Sequence, residues 1–115
     1  MQRLRGLVEL TRPGNALTSG LLTAIGAVVA GTAPTPGLLV DTSAPVRAAA
    51  AVLATILAVG AGNAINDYFD REIDAINQPG RPIPRGAVTP RETLVFATAQ
   101  FIIAVGLALV LPPLA

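Results

Sequence analysis

Three long stretches without a charged residue constrain the fold of this chain more than any other feature. They cover residues 13–40, 48–66 and 93–115. A helix of about 20 apolar residues, rising about 1.5 Å per residue, crosses the roughly 30 Å of hydrocarbon in a bilayer. Inside lipid every backbone N–H and C=O group needs an internal partner, which Ala- and Leu-rich segments of this length find as helices. The sequence therefore predicts an all-α fold, an integral membrane bundle with three transmembrane helices.

Local signals place the ends of these helices. Pro13 suits a first helical turn, DTSAP at 41–45 offers a cap for the second helix, and TPRE at 89–92 is a capping box before the third. The two prolines of LPPLA at 111–115 end the third helix. The predicted spans are about 13–32, 46–69 and 90–111, with an acidic and Arg-rich loop over about 70–89. A signal peptide does not explain the first run, because two more runs follow it.

The charged residues exclude several classes of function and indicate an orientation. The chain is 52% hydrophobic and has neither Cys nor His, which excludes disulfides, thiolate chemistry and a zinc site of the usual kind. All basic residues are Arg, and only Arg47 lies between the first two predicted helices. The positive-inside rule therefore predicts a cell-membrane protein whose N-terminus and 70–89 loop are cytoplasmic. Aromatic residues make up only 3% of the chain, and no basic stripe is interleaved with them, so nucleic-acid binding is not expected.

One polar face stands out where the second predicted helix ends. At about 100° per residue, five side chains fall within an arc of roughly 100°, and Glu72 points to the opposite side. These five are Asn63, Asn66, Asp67, Asp70 and Asp74. Carboxylate and amide oxygens spaced four residues apart are hard ligands that suit Mg²⁺. The face is a candidate metal site, and the alternative is a solvated flank of a membrane helix.

The loop that follows has two interpretations as well. NQPGRPIPRG at 77–86 is rich in Pro and Gly, which are typical of a turn, and its arginines satisfy the positive-inside rule. A functional interpretation is that Arg81, held between prolines, binds phosphate oxygens through its guanidinium fork. Small residues at Ala54, Ala58 and Gly62 favour close approach of helices over a tailored substrate groove.

Together these motifs resemble a known family. NDYFDREID at 66–74 followed by RPIPRGAV at 81–88 looks like the first aspartate-rich motif and adjoining loop of the UbiA-type intramembrane prenyltransferases. RPGN at 12–15 resembles the start of that family. GLVELTRPGN and INQPGRPIP are most similar to its archaeal ether-lipid branch.

The resemblance implies a reaction and a set of site residues. The reaction is Mg²⁺-dependent transfer of a geranylgeranyl group from geranylgeranyl diphosphate to the lipid acceptor geranylgeranylglyceryl phosphate within the bilayer. Asp70 and Asp74 are implied to be catalytic, in a metal site that also includes Asn66 and Asp67. Diphosphate binding is implied for Arg81, Asn63 and Asn15.

The same resemblance implies that much of the enzyme lies outside this sequence. Members of the family are typically nine-helix bundles with a second aspartate-rich motif, whereas Glu92 is the only acid here after Asp74. We expect the chain to be the N-terminal third of such a bundle, either a fragment or a truncated form, and to be inactive without the remaining helices.

Other functions are left open by the sequence. The acceptor could be of the chlorophyll or quinone type, or the chain could be a non-catalytic three-helix membrane module. A transporter or channel would favour acids at the middle of the bilayer rather than at its edge. A CDP-alcohol phosphotransferase would carry a D-G-x-x-A-R pattern, which is missing.

Overall fold

The computed structural model describes residues 1–32 and 44–109, and these ranges contain five α-helices and no strand. The helices are α1 (Gln2–Leu10), α2 (Pro13–Thr32), α3 (Ala44–Phe69), α4 (Arg71–Asn77) and α5 (Pro90–Ala108). The prediction of an all-α bundle is confirmed. The predicted caps at 41–43 and the LPPLA stop lie outside the described residues.

The bundle is built around α3, which packs against α2 on one side and α5 on the other. With 26 residues, α3 is about 39 Å long at the usual helical rise. Both α3 and α5 are long and apolar enough to cross a bilayer, whereas the apolar part of α2 within the described residues, Pro13–Val29, is shorter. Large apolar side chains such as Leu22, Val28 and Ile102 are more than 60% exposed, as expected for surfaces that meet lipid or further helices. That three helices span the membrane remains a prediction.

Small residues bring the helices together. The core consists of Leu10, Ala61, Ala64, Val88 and Ala97, of which three are alanines. A Cβ atom at Gly20 of α2 would lie only 2.6 Å from Cγ1 of Ile56 on α3, so a larger residue here would force the Ile56 side chain or the helices to shift. This close backbone approach is the usual means of helix association in membranes, where apolar burial gives little driving force.

The predicted positions of close approach were partly wrong. A Cβ atom at Gly62 would meet nothing within 4 Å, so Gly62 is not a crossing point. Gly62 instead lines an open apolar groove between α3 and α5, together with Ala58 and Phe101. Gly60, which lies between Ala58 and Gly62, is buried, and a Cβ atom there would lie 3.2 Å from Cβ of Thr11.

The start of α5 confirms the predicted capping box. The Thr89 hydroxyl accepts a hydrogen bond from the Glu92 N–H at 3.0 Å, and the Glu92 carboxylate accepts one from the Thr89 N–H at 3.4 Å. Pro90 occupies the first helical position, where its missing N–H has no consequence. The chain therefore enters α5 in a fixed direction from the preceding loop.

The helix α1 was not predicted from the sequence, and α4 lies at the start of the segment whose predicted bounds made it a loop. In α1, Leu10 is fully buried and Leu7 packs against the core, so one apolar face of a short helix docks onto the end of the bundle. In α4, helical backbone bonds continue through the junction: the Asp70 N–H donates to Asn66 O at 2.9 Å and the Asp74 N–H to Asp70 O at 2.7 Å. The 70–89 segment is therefore a bent continuation of α3 over 71–77 and a true loop only after it.

Candidate functional site

The charged residues of the N-terminal helix and of the loop meet at one end of the bundle. There α1 contacts both α3 and α5, and the loop of residues 78–89, called the connecting loop from here on, lies beside α1. The apolar bodies of α2, α3 and α5 extend away from this end. The charged side chains that could bind a ligand therefore lie mainly at this end of the bundle.

Three residues from distant parts of the chain form what we call the buried cluster: Arg12, Asp67 and Arg81. Oδ1 of Asp67 accepts hydrogen bonds from Arg12 NH2 at 2.8 Å and from Arg81 NH1 at 2.9 Å. The Asp67 side chain is 5% exposed, while those of Arg12 and Arg81 are 39% and 28% exposed. A buried carboxylate thus holds two guanidinium groups that reach the surface.

Arg12 enters this cluster from a strained backbone. It lies between α1 and α2 and has a φ of 49°, in the left-handed region that side-chain-bearing residues rarely adopt. Pro13 disfavours the right-handed helical conformation at the residue before it, so the chain turns at Arg12. Such a conformation costs on the order of 1 kcal/mol or more and persists where surrounding contacts fix it. The Arg12 N–H donates to Glu9 O at 3.0 Å, and its side chain is fixed by Asp67.

Arg81 is held by its own turn. Its Nε donates to Oε1 of Gln78 at 3.0 Å, and its backbone N–H donates to Gln78 O at 3.1 Å. The turn closes at Gly86, whose φ of 81° suits glycine and whose N–H donates to Ile83 O. Arg81 is therefore oriented before any ligand is present.

Asp74 completes the neighbourhood of Arg81. Oδ2 of Asp74 lies 3.6 Å from Arg81 NH1, too far for a hydrogen bond, and the side chain is 8% exposed. Among the described residues this buried oxygen has no hydrogen-bond donor. A buried carboxylate oxygen without a donor is costly and is a place where a bound cation or water would be stabilised.

A cleft opens in front of the buried cluster. Its volume is about 420 Å³, and it is lined by Glu9, Arg12, Asp67, Gln78, Gly80, Arg81 and Pro82. Two guanidinium groups contribute N–H donors to this cleft, and planar guanidinium forks match the oxygens of phosphate groups. The cleft is suited to bind a small anion.

A second set of charges, called the exposed cluster, consists of Arg5, Glu9 and Arg85, of which Glu9 also lines the cleft. Arg85 donates to both oxygens of Glu9, at 2.7 and 3.0 Å, and to Gly80 O at 2.8 Å. The hydrogen bond from Arg85 lowers the pKa of the Glu9 carboxyl below its ordinary value and raises the pKa of Arg85. This pair ties α1 to the connecting loop.

The structure divides the predicted polar face into buried and exposed members. Asn63, Asp67 and Asp74 are buried, whereas Asn66 and Asp70 are exposed. Asn63 donates through Nδ2 to Thr11 O at 2.8 Å, so its amide secures the turn between α1 and α2.

The remaining predicted residues are placed as follows. Asp70 is the N-cap residue of α4 but makes no capping hydrogen bond with its side chain. Asn15 and Glu72 are exposed, and no described contact joins Asn15 to the buried cluster.

Sequence reasoning missed Arg12, Glu9 and Arg85 as members of this end. The only local signal was an Arg directly before Pro13, which marks a turn that aims a long cationic side chain. The pairing of Glu9 with Arg85 spans 76 residues and has no local signal.

The predicted metal ligands do not form a cluster of acids. Within residues 1–32 and 44–109, no three acidic side chains converge closely enough to hold a metal ion by themselves. Mg²⁺, however, is commonly bound through one or two carboxylates together with substrate phosphates and water. The oxygens of Asn66, Asp70 and Asp74 fit that chemistry, and the orphaned Oδ2 of Asp74 agrees with it.

Comparison with known proteins gives one consistent result. Residues 19–115 match the UbiA prenyltransferase family. The digeranylgeranylglyceryl phosphate synthase of Natronomonas pharaonis is 64% identical over all 115 residues of the chain, which correspond to 38% of that protein. The same enzyme of Halobacterium salinarum is 54% identical over the whole chain and 39% of its own length.

A more distant relative gives the same picture. The digeranylgeranylglyceryl phosphate synthase of Methanopyrus kandleri is 41% identical over 94% of the chain and 36% of its own length. The chain therefore spans somewhat more than a third of the length of these relatives. No solved structure matches it.

Proposed function

Because this chain belongs to the UbiA prenyltransferase family, we propose that it forms the donor-binding end of a membrane enzyme that makes archaeal ether lipids. The reaction would transfer a geranylgeranyl group from geranylgeranyl diphosphate to geranylgeranylglyceryl phosphate. The observation that carries this proposal is the 64% identity, along the entire chain, to a digeranylgeranylglyceryl phosphate synthase.

The cleft supplies a place for the diphosphate. Arg81 and Arg12 both line it, and each carries N–H donors beyond those already bonded within the described residues. Charge-assisted hydrogen bonds of this kind strengthen as negative charge collects on the departing diphosphate, so they stabilise the transition state more than the ground state. Asn63 would support donor binding indirectly, by securing the turn that carries Arg12. Asn15 would contact the donor directly, from its exposed position on α2.

Asn66, Asp70 and Asp74 are the residues proposed to hold Mg²⁺. When bound, the ion supplies positive charge that neutralises the diphosphate leaving group. These side chains bind and orient through hard oxygen atoms, and Asp74 is buried beside Arg81. Asp67 was predicted as a fourth ligand, but two guanidinium groups already bond its Oδ1 atom.

The apolar groove between α3 and α5 offers a route for the prenyl chain. It has a volume of about 320 Å³ and is lined almost entirely by apolar side chains. Gly62 in this groove precedes Asn66 by four residues and Asp70 by eight, so all three follow one face of the helical path. A prenyl chain in the groove would keep water from its allylic carbon, where the bond to the diphosphate oxygen breaks and the acceptor hydroxyl attacks.

The orientation in the membrane forms part of the proposal. We place the N-terminus and the connecting loop in the cytoplasm, supported by the meeting of their arginines at one end of the bundle. The chain has no native Cys. Single cysteines at Gly80 and Thr35 can therefore be probed with an impermeant thiol reagent in intact cells. Labelling at Thr35 alone is expected, and labelling at Gly80 alone would show the opposite orientation.

The function is tested with a chimera, since the chain covers 38% of the relative. The matching segment of the Natronomonas pharaonis enzyme is replaced by this chain, and turnover is measured under conditions in which the parent is active. The chimera is expected to convert geranylgeranyl diphosphate and geranylgeranylglyceryl phosphate, whereas the 115-residue chain alone should show no turnover. An inserted and folded chimera that converts only a quinone or chlorophyll-type acceptor, or none, would contradict the proposal.

A matched pair of substitutions in the chimera tests the metal ligands. Asp70→Asn keeps the shape of the side chain but removes its charge, so turnover should fall by at least about a hundredfold at saturating Mg²⁺. Glu72→Gln removes an exposed acid two residues away and should leave most of the turnover. Equal losses in the two variants would instead indicate a charged membrane edge without a metal site.

A further inference from the structure

The geometry points to a role for Asp67 that differs from metal binding. We infer that Asp67 is a positioning residue, which holds Arg12 and Arg81 side by side at the cleft so that both bind the diphosphate of the donor. The inference deepens the proposed function and rests on it. It also adds Arg12, from the turn between α1 and α2, to the residues that bind the donor.

The first argument is that the arginines of the buried cluster have N–H donors left for a ligand. Both guanidinium groups bond the same oxygen atom of Asp67, and Oδ2 of Asp74 lies 3.6 Å from Arg81 NH1 without a hydrogen bond. A guanidinium has five N–H donors. Arg12 donates to Asp67 through NH2, while Arg81 donates to Asp67 through NH1 and to Gln78 through Nε, so each group has further N–H donors. Both arginines therefore keep N–H donors for a ligand at the cleft that they line.

The second argument is mechanical. Asp67 is the only member of the cluster on a long helix, and it is almost fully buried, so its position is fixed by α3. Arg12 and Arg81 come from a strained turn and from the connecting loop. Without Asp67 the two like charges would repel, and each long side chain would regain rotamer freedom that ligand binding must then remove.

The third argument separates this role from bulk electrostatics. Asp67 is negative, so removing its charge should tighten the binding of an anion if charge alone mattered. If Asp67 positions the arginines, the same change should weaken anion binding. A metal ligand predicts a third outcome, in which the effect of the change requires Mg²⁺. The role of Asp67 is therefore identified by whether its neutralisation weakens or tightens anion binding, and by whether that effect requires Mg²⁺.

The test measures binding of inorganic pyrophosphate to the full-length chimera by calorimetry, in EDTA and then in Mg²⁺. In EDTA, Asp67→Asn should raise the dissociation constant by at least about tenfold, the loss expected when charge-assisted hydrogen bonds are misaligned. The factor by which Mg²⁺ strengthens binding should be the same in Asp67→Asn as in the parent chimera. In Asp70→Asn that factor should fall towards one.

Glu9→Gln is the matched control. Glu9 is the other carboxylate that lines the cleft, but it bonds Arg85 rather than Arg12 or Arg81. Its neutralisation should leave pyrophosphate binding in EDTA unchanged or tighter, opposite in sign to Asp67→Asn. Tighter or unchanged binding in Asp67→Asn overturns the inference, and so does a loss that appears only with Mg²⁺.

A second variant covers the case in which Asp67→Asn fails to fold, as judged by its helical circular dichroism. Arg12→Lys keeps the charge but loses the planar fork, so it should weaken pyrophosphate binding in EDTA severalfold. Unchanged binding in Arg12→Lys would overturn the part of the inference that concerns Arg12. If the chimera turns over normally but these variants do not change pyrophosphate binding, the inference alone is contradicted. If the variants change pyrophosphate binding as expected but the chimera shows no turnover, the proposed function alone is contradicted.

Discussion

The buried and exposed clusters both tie the connecting loop to a helix with the same chemistry, the buried cluster to α3 and the exposed cluster to α1. Each pairs a carboxylate with an arginine of the connecting loop, Asp67 with Arg81 and Glu9 with Arg85, at distances of 2.9 and 2.7 Å. They differ in surroundings: the Asp67 side chain is 5% exposed and that of Glu9 is 41% exposed.

This difference decides what each contact contributes. An exposed ion pair is screened by water and salt and adds little stability, even with good geometry. A buried carboxylate is costly by itself, so its partners are bound to it far more firmly than in the exposed pair. The buried cluster therefore fixes the positions of the Arg12 and Arg81 guanidinium groups, and the exposed cluster mainly holds the connecting loop against α1.

The largest expected effect compares removal of the two carboxylates. Asp67→Ala should lower the free energy of unfolding by about 2 to 4 kcal/mol, because it leaves two partly buried guanidinium groups without their anion. Glu9→Ala should cost much less, because Arg85 then turns to water. Both are measured on the 115-residue chain by titration with a denaturing detergent, followed by helical circular dichroism. Equal costs would show that burial does not distinguish the clusters.

A smaller effect is expected from exchanging charges within the exposed cluster. Arg85→Glu places a second carboxylate beside Glu9 and should lower the midpoint of the same titration. Adding Glu9→Arg restores an ion pair in reversed order and should recover most of the loss, since an exposed pair tolerates either polarity. The matching exchange of Asp67 with Arg81 should not recover, because Arg12 would then face an arginine. If the midpoint recovered in both charge exchanges, the buried and exposed clusters would not differ in the way described.

The smallest effect is a pH dependence that belongs to Glu9. Its carboxyl has a pKa below the ordinary 4.5 because Arg85 hydrogen-bonds to its charged form. The stabilisation is therefore present above 4.5 and is lost as the pH falls below that value through the lowered pKa. The difference in thermal midpoint between the chain and Glu9→Gln should shrink over that acidic range. A difference that grows on acidification would contradict the assigned bond.

The helical pattern of the chain was accessible from the sequence because it depends on local properties. Uncharged runs of about 20 residues and a Thr89 capping box act over one or a few turns, and α3 and α5 begin close to where these signals place them. The helix α1 was missed because its apolar face has only a few residues, and it is stabilised by docking of Leu7 and Leu10 onto distant helices.

Of the candidate site, only the set of polar and acidic residues could be predicted from the sequence. Helical spacing placed Asn63, Asn66, Asp67, Asp70 and Asp74 on one face, but it could not show which of them are buried. Burial depends on the turn at Arg12 and on the connecting loop, which meet α3 from 55 and 14 residues away. The tertiary structure was therefore needed to show which oxygens of the polar face bind guanidinium groups and which do not.

The span of the cleft along the chain has a consequence for how the protein is made. Every residue that lines it lies between Glu9 and Pro82, ahead of α5. N-terminal parts of a chain leave the ribosome first, at roughly 5 to 20 residues per second. The arginines and their carboxylate can thus associate within seconds of synthesis, so that α5 is inserted beside a cleft whose charges are already partly neutralised.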